Sequence, residues 1–226
     1  MSYAFIQACR IGDEEEAKRQ YDLYITDEKM LNDCCTTACY YGHLNIVQWL
    51  YSLGVIYTDP SRFVYSCYHG QEHVAKWLYS LGDVNIHDSD EAAFRYACQM
   101  GHMSIAKWLY SLGGVDIHWG QDYVFRVACV FWHINIAKWL YSLGGVDIHA
   151  HDDGAFRAVC ICRQKGFALW MVSIGADPNI LEEEYKNTFE KWIQEERTNV
   201  VDVLLEERGM KDVDKNVFNV VAEYVI

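Results

Sequence analysis

The sequence predicts an all-α solenoid of stacked helix–turn–helix units joined by short loops. The segment Trp-Leu-Tyr-Ser-Leu-Gly recurs unchanged at Trp49, Trp77, Trp108 and Trp139, with starts 28, 31 and 31 residues apart. A cysteine stands ten residues before each of these tryptophans. A fixed period of about 20–50 residues is typical of solenoids, whose units bury their apolar faces only by stacking on their neighbours.

Each unit carries two helical stripes of apolar residues. In the unit at 90–120 the first stripe runs from Phe94 to Cys98 with i, i+3, i+4 spacing and stops at Gly101. The second stripe runs from Ile105 to Leu112 and stops at Gly113. We therefore expect two short helices and a tight turn, followed by a loop of about ten residues that contains Val-Asp-Ile-His.

The repeat register predicts one continuous array over residues 1–226, with seven units and a C-terminal cap. The cap is expected at 210–226. The expected unit boundaries are 2–30, 31–59, 60–89, 90–120, 121–151, 152–180 and 181–209.

Composition narrows the classes of partner. With 51% hydrophobic and 23% charged residues, the 226-residue chain has the composition of a folded protein. Its 19 Lys+Arg and 32 Asp+Glu give a net charge of −13, which argues against nucleic acid and against an anionic membrane surface. The sequence shows no signal peptide and no run of apolar residues long enough to span a bilayer. Nine cysteines, an odd number, then favour reduced thiols, and we expect a cytoplasmic location.

No pattern of catalytic or metal-binding residues stands out. The sequence lacks GxxxxGK, GxGxxG, HExxH and GxSxG, so we expect no catalytic residue, no cofactor and no enzyme. Stacked helices lie about 8–10 Å apart, whereas a disulfide needs Cα atoms roughly 4.4–6.8 Å apart. The repeated cysteines are therefore expected to be small buried hydrophobes, and no metal is expected. The repeated His87, His118 and His149 are expected to satisfy loop backbone groups, because side chains one unit apart cannot share a zinc ion.

The repeated motifs resemble ankyrin repeats. The residues that carry the resemblance are Ala97-Cys98, the turn Gly101-His102, Ile105–Leu109, which matches V-x-x-L-L, and Gly175–Asn179, which is close to G-A-D-x-N. The resemblance covers nearly the whole chain. Its particular style, with A-F-R, A-C and W-L-Y-S-L-G-G-V-D-I-H, resembles arrays encoded by giant DNA viruses of protists, which implies the host cell cytoplasm if the protein is viral.

Two departures from the ankyrin pattern bear on function. The T-P-L-H tetrapeptide is replaced by sequences such as Ala92–Arg95, so an arginine that only donates hydrogen bonds stands where a histidine is expected. Trp132 replaces the turn glycine found at Gly42, Gly70 and Gly101. That position usually requires a positive φ, which a bulky residue resists. Either the turn changes type or an exposed indole is retained for contact.

The resemblance places the two residues after each repeated cysteine on the concave side of the array. These positions vary between units and are rich in aromatic residues, which is typical of a protein-binding patch. Trp119 and Tyr123 join them from a loop. The expected partner-binding residues are Tyr40, Tyr41, Tyr68, His69, Gln99, Met100, Trp119, Tyr123, Val130, Phe131 and Trp132. Shielding of some of them by the next unit's loop stays open as an alternative.

The sequence therefore predicts a monomeric, non-enzymatic scaffold that binds another protein through the concave face and loop tips. Within the same class, the alternative is a viral adaptor that brings a host protein to a ubiquitin ligase. Such adaptors often end in an F-box-like segment, but 210–226 is short and lacks an LP-type opening. From a different class, the alternative is an enzyme with an unrecognised polar pocket.

Overall fold

The computed structural model describes residues 2–23, 27–55 and 61–208, with side chains up to residue 198. These residues form thirteen α-helices and one short 3₁₀ helix, with no β-strand among them. The chain divides into two compact units, Met1–Ser142 and Leu143–Ile226. The expected cap at 210–226 lies outside the described residues.

The first unit consists of helix pairs. The first helix of each pair packs against the first helix of the next pair, and the second helices α2, α4 and α6 also follow one another. The helices are α1 Ser2–Ile11, α2 Glu14–Leu23, α3 Glu28–Tyr41, α4 Leu44–Ser52, α5 Ser61–Tyr68, α6 Glu72–Ser80, α7 Asp88–Gln99, α8 Met103–Ser111, α9 Trp119–Val130 and α10 Ile134–Leu143. The predicted helix–turn–helix repeat is therefore confirmed.

The repeated core positions are buried as the periodicity predicts. Phe94 and Phe125 are 1% exposed, and Cys98 and Cys129 are fully buried. All nine cysteines are free, and eight of them are buried. Burial raises the pKa of the Cys98 and Cys129 thiols far above the ordinary value, so these side chains stay neutral and serve as small core residues.

Three of the first helices begin with a left-handed turn that the sequence analysis did not predict. The residues Ser89–Glu91, Gly120–Asp122 and His151–Asp153 all have φ between 53° and 63°. L-residues in this conformation cost roughly 1–2 kcal/mol each, so neighbouring contacts must hold the turn. Part of each predicted loop is thus wound into a left-handed turn ahead of its right-handed helix.

The repeated histidines and arginines hold these turns. His118 Nδ1 donates to Asp122 Oδ1 at 2.6 Å, and His87 makes the equivalent bond to Glu91 at 2.8 Å. Arg126 donates to the carbonyl oxygens of Gly120 and Gln121, both at 3.1 Å. The histidines therefore bind acidic side chains rather than loop backbone, and the arginine in place of the T-P-L-H histidine supplies donors to the turn.

The second unit contains two helix-pair elements and one long helix. These are α11 Ala150–Ile161, α12 Lys165–Ser173, the 3₁₀ helix Pro178–Ile180 and α13 Glu183–Arg208. The expected last pair at 181–209 is instead one helix, because 183–208 contains no glycine or proline to end it. Phe189 anchors α13 on Phe156 of α11, with ring centroids 5.9 Å apart. None of the described helices is both long and apolar enough to cross a bilayer.

Candidate functional site

The ends of the first helices, where the expected binding residues lie, are tied together by a repeated hydrogen bond. The residue after the left-handed turn position, which is a glycine in three cases and Trp132 in the fourth, donates its side-chain nitrogen to a carbonyl oxygen in the preceding repeat. These bonds are His43 to Arg10 at 2.9 Å, Gln71 to Tyr40 at 3.1 Å, His102 to Tyr68 at 2.9 Å and His133 to Gln99 at 2.9 Å. The backbone that carries the candidate residues is thereby fixed from one repeat to the next.

This hydrogen bond explains why the turn position is glycine. Gly101 has φ +83°, and a Cβ atom there would lie 2.6 Å from His133 Cε1 and 2.8 Å from its Nδ1. The same crowding by the next repeat's side chain occurs at Gly42 and Gly70. Glycine therefore meets two requirements at once, the left-handed backbone and the space for the donor side chain.

Four candidate side chains form one cluster at the ends of α3 and α5. Tyr40 and Tyr41 are 42% and 40% exposed, and their ring centroids are 4.7 Å apart. The His69 ring lies 3.7 Å from Tyr40 and 4.7 Å from Tyr68. Burial and a smaller repulsion from His102 lower the pKa of His69, so its imidazole is neutral at pH 7.

The cluster continues through residues that the sequence analysis did not assign to binding. Tyr68 meets Tyr96 of α7 edge to face, with centroids 5.4 Å apart. The neighbouring Arg95 guanidinium lies 5.9 Å from the Tyr96 ring, 4.6 Å from Trp119 and 5.6 Å from Tyr123. Such cation–π contacts hold the planar guanidinium against aromatic faces. Arg95 therefore joins the tyrosine cluster to the loop-tip aromatics.

Arginines stand at both ends of this run. Arg126 lies 5.8 Å from the Tyr123 ring, and Arg10 lies 5.4 Å from the Tyr41 ring. The whole run is called the aromatic–arginine strip below. Its residues are Arg10, Tyr40, Tyr41, Tyr68, His69, Arg95, Tyr96, Trp119, Tyr123 and Arg126.

The strip crosses the first helices obliquely. It starts just after the repeated cysteines of α1, α3 and α5, and it reaches the N-terminal part of α9 at Trp119 and Tyr123. The left-handed turn at Gly120–Asp122 links these two aromatics, whose rings meet edge to face at 5.8 Å. The strained turn therefore has a structural consequence for the strip, since it sets where the loop-tip rings lie.

The remaining candidates do not join the strip through ring contacts within the described residues. Gln99 and Met100 are half-buried. Val130, Phe131 and Trp132 are 45%, 45% and 52% exposed and form a separate apolar patch at the end of α9. Trp132 has φ +64°, so of the two alternatives left open by the sequence the turn keeps its left-handed conformation and the indole is exposed.

The sequence analysis missed Arg10, Arg95, Tyr96 and Arg126 as surface contributors. Arg95 and Arg126 were recognised only as replacements for a family histidine. A usable signal was present, because Tyr96 lies two residues from Phe94 and so falls off the core stripe. The described part of the chain contains no group of three or more His, Cys, Asp or Glu that could hold a metal ion.

Comparison with known proteins agrees with this architecture. Residues 37–121 match the family model described as ankyrin repeats, with three copies. No curated protein matches the sequence. Among solved structures, the human ASB11 ankyrin repeat domain is similar, with 17% sequence identity over 76% of this chain and 84% of that chain and a TM-score of 0.57.

The predicted all-α ankyrin-repeat solenoid fold is confirmed, and the match to ankyrin repeats themselves covers residues 37–121. At 17% identity the structural likeness bears on the fold alone. Ankyrin repeats generally use their stacked surfaces to bind other proteins and not to catalyse reactions.

Proposed function

We propose that this chain is a non-enzymatic scaffold that binds another protein through the aromatic–arginine strip and the apolar patch at Val130–Trp132. The proposal rests on one observation above all. Exposed and half-exposed aromatic side chains run ring to ring across three successive first helices and continue to a fourth through Arg95, while the core beneath them repeats almost unchanged. Tyrosine, tryptophan and arginine are the residues enriched at the energetic centres of protein interfaces.

The strained turn at Trp132 supports the same function. The left-handed conformation costs a non-glycine residue roughly 1–2 kcal/mol, and glycine occupies this position in the earlier repeats. The indole gains no ring contact within the described residues in return, and it is 52% exposed. Retention of a strained, exposed tryptophan fits a role in contact with a partner.

The proposal includes the setting in which the scaffold works. We propose a monomer that acts in the cytoplasm and binds neither nucleic acid nor membrane. Its net charge of −13 disfavours both nucleic acid and an anionic membrane surface. The style of the repeats extends the proposal to a viral protein in the host cytoplasm. The segment 210–226, whose short length and lack of an LP-type opening count against the adaptor alternative, lies outside the described residues.

Affinity capture with matched variants tests the proposal. Wild type, a Tyr40→Ala/Tyr41→Ala double variant and a Tyr110→Ala control are immobilised in equal amounts, and captured proteins are identified by mass spectrometry. Tyr110 is a suitable control because it is 38% exposed but lies on α8, away from the strip. Circular dichroism checks that both variants keep the wild-type helix content.

We expect a specific set of proteins to be captured by wild type and by the control and to be lost from the double variant. The Phe131→Ala/Trp132→Ala variant extends the test to the second patch. If the double variant captures the same proteins as wild type, the strip is not the binding surface. If the control loses them while the double variant keeps them, binding lies on the second helices instead.

A further inference from the structure

We infer that the aromatic–arginine strip recognises an extended, acidic peptide segment, whose carboxylates pair with Arg95 and Arg126 at one end and with Arg10 at the other. The inference rests on the proposed function and specifies its partner. It follows from three features of the strip: its charges, its hydrogen-bonding groups that have no partner within the described residues, and its length.

The first step concerns the charges. Among the described residues, no carboxylate lies within 4.0 Å of the guanidinium groups of Arg10, Arg95 or Arg126. Other surface cations do find such partners: Lys18, Arg19, Lys76 and Lys165 each pair with a glutamate. The strip itself contains no acidic residue. It is therefore a positive band on a chain whose net charge is −13.

Two acids close to the strip along the sequence are buried and bound to histidines. Glu91 and Asp122 are 8% and 5% exposed, and they accept hydrogen bonds from His87 and His118. An incoming carboxylate at Arg95 or Arg126 meets a guanidinium that makes no ion pair within the described residues.

Arg95 is the most suitable single group for a carboxylate. Of its five N–H donors, one hydrogen bond is made, from Nη2 to the Ser89 carbonyl oxygen at 3.1 Å. Its Nε is buried and has no hydrogen-bond acceptor within the described part of the chain. The guanidinium lies 4.6 Å from the Trp119 ring and 5.6 Å from the Tyr123 ring, and its Nη1 donates no hydrogen bond to the described residues, so Nη1 remains for a carboxylate oxygen.

The tyrosines between the arginines match the rest of such a peptide. The hydroxyls of Tyr40, Tyr41, Tyr68 and Tyr96 make no hydrogen bond to the described residues. They are free to donate to and accept from the backbone of an extended chain, while the rings cover its apolar side chains.

The length of the strip sets the length of the peptide. Arg10 on α1 and Tyr123 on α9 are separated by four helix spacings, each about 8–10 Å, which gives roughly 30–40 Å. An extended chain rises about 3.3 Å per residue, so about ten to twelve residues cover the strip. An isolated side chain or small ligand cannot reach both arginine ends.

A single strand of nucleic acid fits these features less well. Its phosphates would bring a full charge with every nucleotide to a chain of net charge −13, with three arginines to meet them. The strip's rings also meet one another at angles of 40° to 83°, and their mutual contacts leave no parallel slots for bases. A peptide with a few well-placed carboxylates is the better match.

Selection from a displayed library of random dodecapeptides tests the inference. The wild-type chain is the bait, and the dissociation constants of selected peptides are measured by fluorescence anisotropy. Variants Arg95→Gln, Arg95→Lys and the control Lys107→Gln are measured in parallel, since Lys107 is an exposed cation on α8. Unlabelled single-stranded oligo-dT of twelve nucleotides serves as a competitor.

We expect the selected peptides to be enriched in Asp and Glu over the input library. Loss of one desolvated charge pair is expected to weaken binding about tenfold or more in Arg95→Gln. Arg95→Lys should retain part of the affinity, and Lys107→Gln should stay within about twofold of wild type. Raising the salt concentration should weaken binding, and oligo-dT should compete poorly.

Two failures can be told apart by the Tyr40→Ala/Tyr41→Ala variant. Neutral or basic peptides that need these tyrosines, or acidic peptides that bind Arg95→Gln as well as wild type, would refute the acidic partner and leave the scaffold function standing. Strong competition by oligo-dT would indicate nucleic acid instead. A complete lack of peptides that depend on the tyrosines would overturn both proposals.

Discussion

Gly101→Ala should destabilise the chain far more than an ordinary glycine substitution, because it disturbs two features at once. Gly101 has φ +83°, and the new methyl group would lie 2.6 Å from His133 Cε1. The His133 side chain must then move, and its hydrogen bond to the Gln99 carbonyl oxygen is lost. That bond joins the end of α7 to the following repeat, so the change also loosens the backbone at Gln99 and Met100.

The expected loss is the sum of a backbone effect and a contact effect. A non-glycine residue in the left-handed region costs about 1–2 kcal/mol, and the reduced freedom of the unfolded chain offsets about 0.4–1 kcal/mol of this. Loss of the hydrogen bond adds about 0.5–1.5 kcal/mol. We expect a decrease of about 2 kcal/mol in the free energy of unfolding.

Gly113→Ala is the matched control. Gly113 has φ +90°, but no atom lies within 4 Å of the position of its added Cβ. It therefore reports the backbone effect alone, and we expect a loss of about 0.5–1 kcal/mol. Urea unfolding followed by far-UV circular dichroism measures both variants. In thermal unfolding, a difference of 1 kcal/mol corresponds to roughly 2–4 °C in Tm for a chain of this size.

A double-mutant cycle gives the decisive comparison. In a His133→Ala background the contact effect is already gone, so Gly101→Ala should cost no more than Gly113→Ala does. Equal losses for Gly101→Ala and Gly113→Ala in the wild-type background would refute the argument that His133 crowds this turn. A full additional loss in the His133→Ala background would refute it as well.

Three further predictions concern the thiols, a titrating histidine and the strained tryptophan. In the native chain a thiol reagent should modify at most Cys162, because the other eight cysteines are buried and burial raises the pKa of Cys160 to about 12. All nine thiols should react in denaturant. Rapid modification of a second thiol in the native state would contradict the prediction. Because burial lowers the pKa of His69 in the folded chain, the unfolded chain takes up this proton first as the pH falls below about 6.5, and stability is lost there. Urea unfolding of His69→Gln should therefore show a flatter dependence on pH between about 7.5 and 5.5, and an unchanged slope would argue against it. Trp132→Gly relieves about 1–2 kcal/mol of backbone strain and loses the partial packing of the indole, so the free energy of unfolding should stay within about 1 kcal/mol of wild type. Partner capture should fall. Undiminished capture would show that Trp132 is not part of the binding surface.

Sequence alone predicted the features that repeat. The recurrence of Trp-Leu-Tyr-Ser-Leu-Gly and the cysteine ten residues before it are local, periodic signals, and each repeat folds through contacts with its neighbours. For that reason the helix pairs and the buried cysteines follow from the sequence, whereas the conformation at Trp132 was left between two alternatives. Of the eleven expected binding residues, five are exposed and six are half-buried, and none is fully buried.

Other features required the tertiary structure. Three consecutive left-handed residues such as Gly120–Asp122 are locally unfavourable, so no propensity predicts them; the His118–Asp122 bond and the Arg126 donors stabilise them only in the folded chain. The long helix at 183–208 likewise departs from the repeat that the register predicts.

The binding strip shows the same division most clearly. The sequence determined which repeat positions are free to vary, because the core positions are fixed by packing. It did not determine which variable side chains meet, since Tyr68, Arg95 and Trp119 come from three different repeats and lie at different heights on their helices. Only stacking of the repeats brings these rings and guanidinium groups into one continuous strip, because contacts between repeats depend on distances in space that the spacing of residues along the chain does not encode.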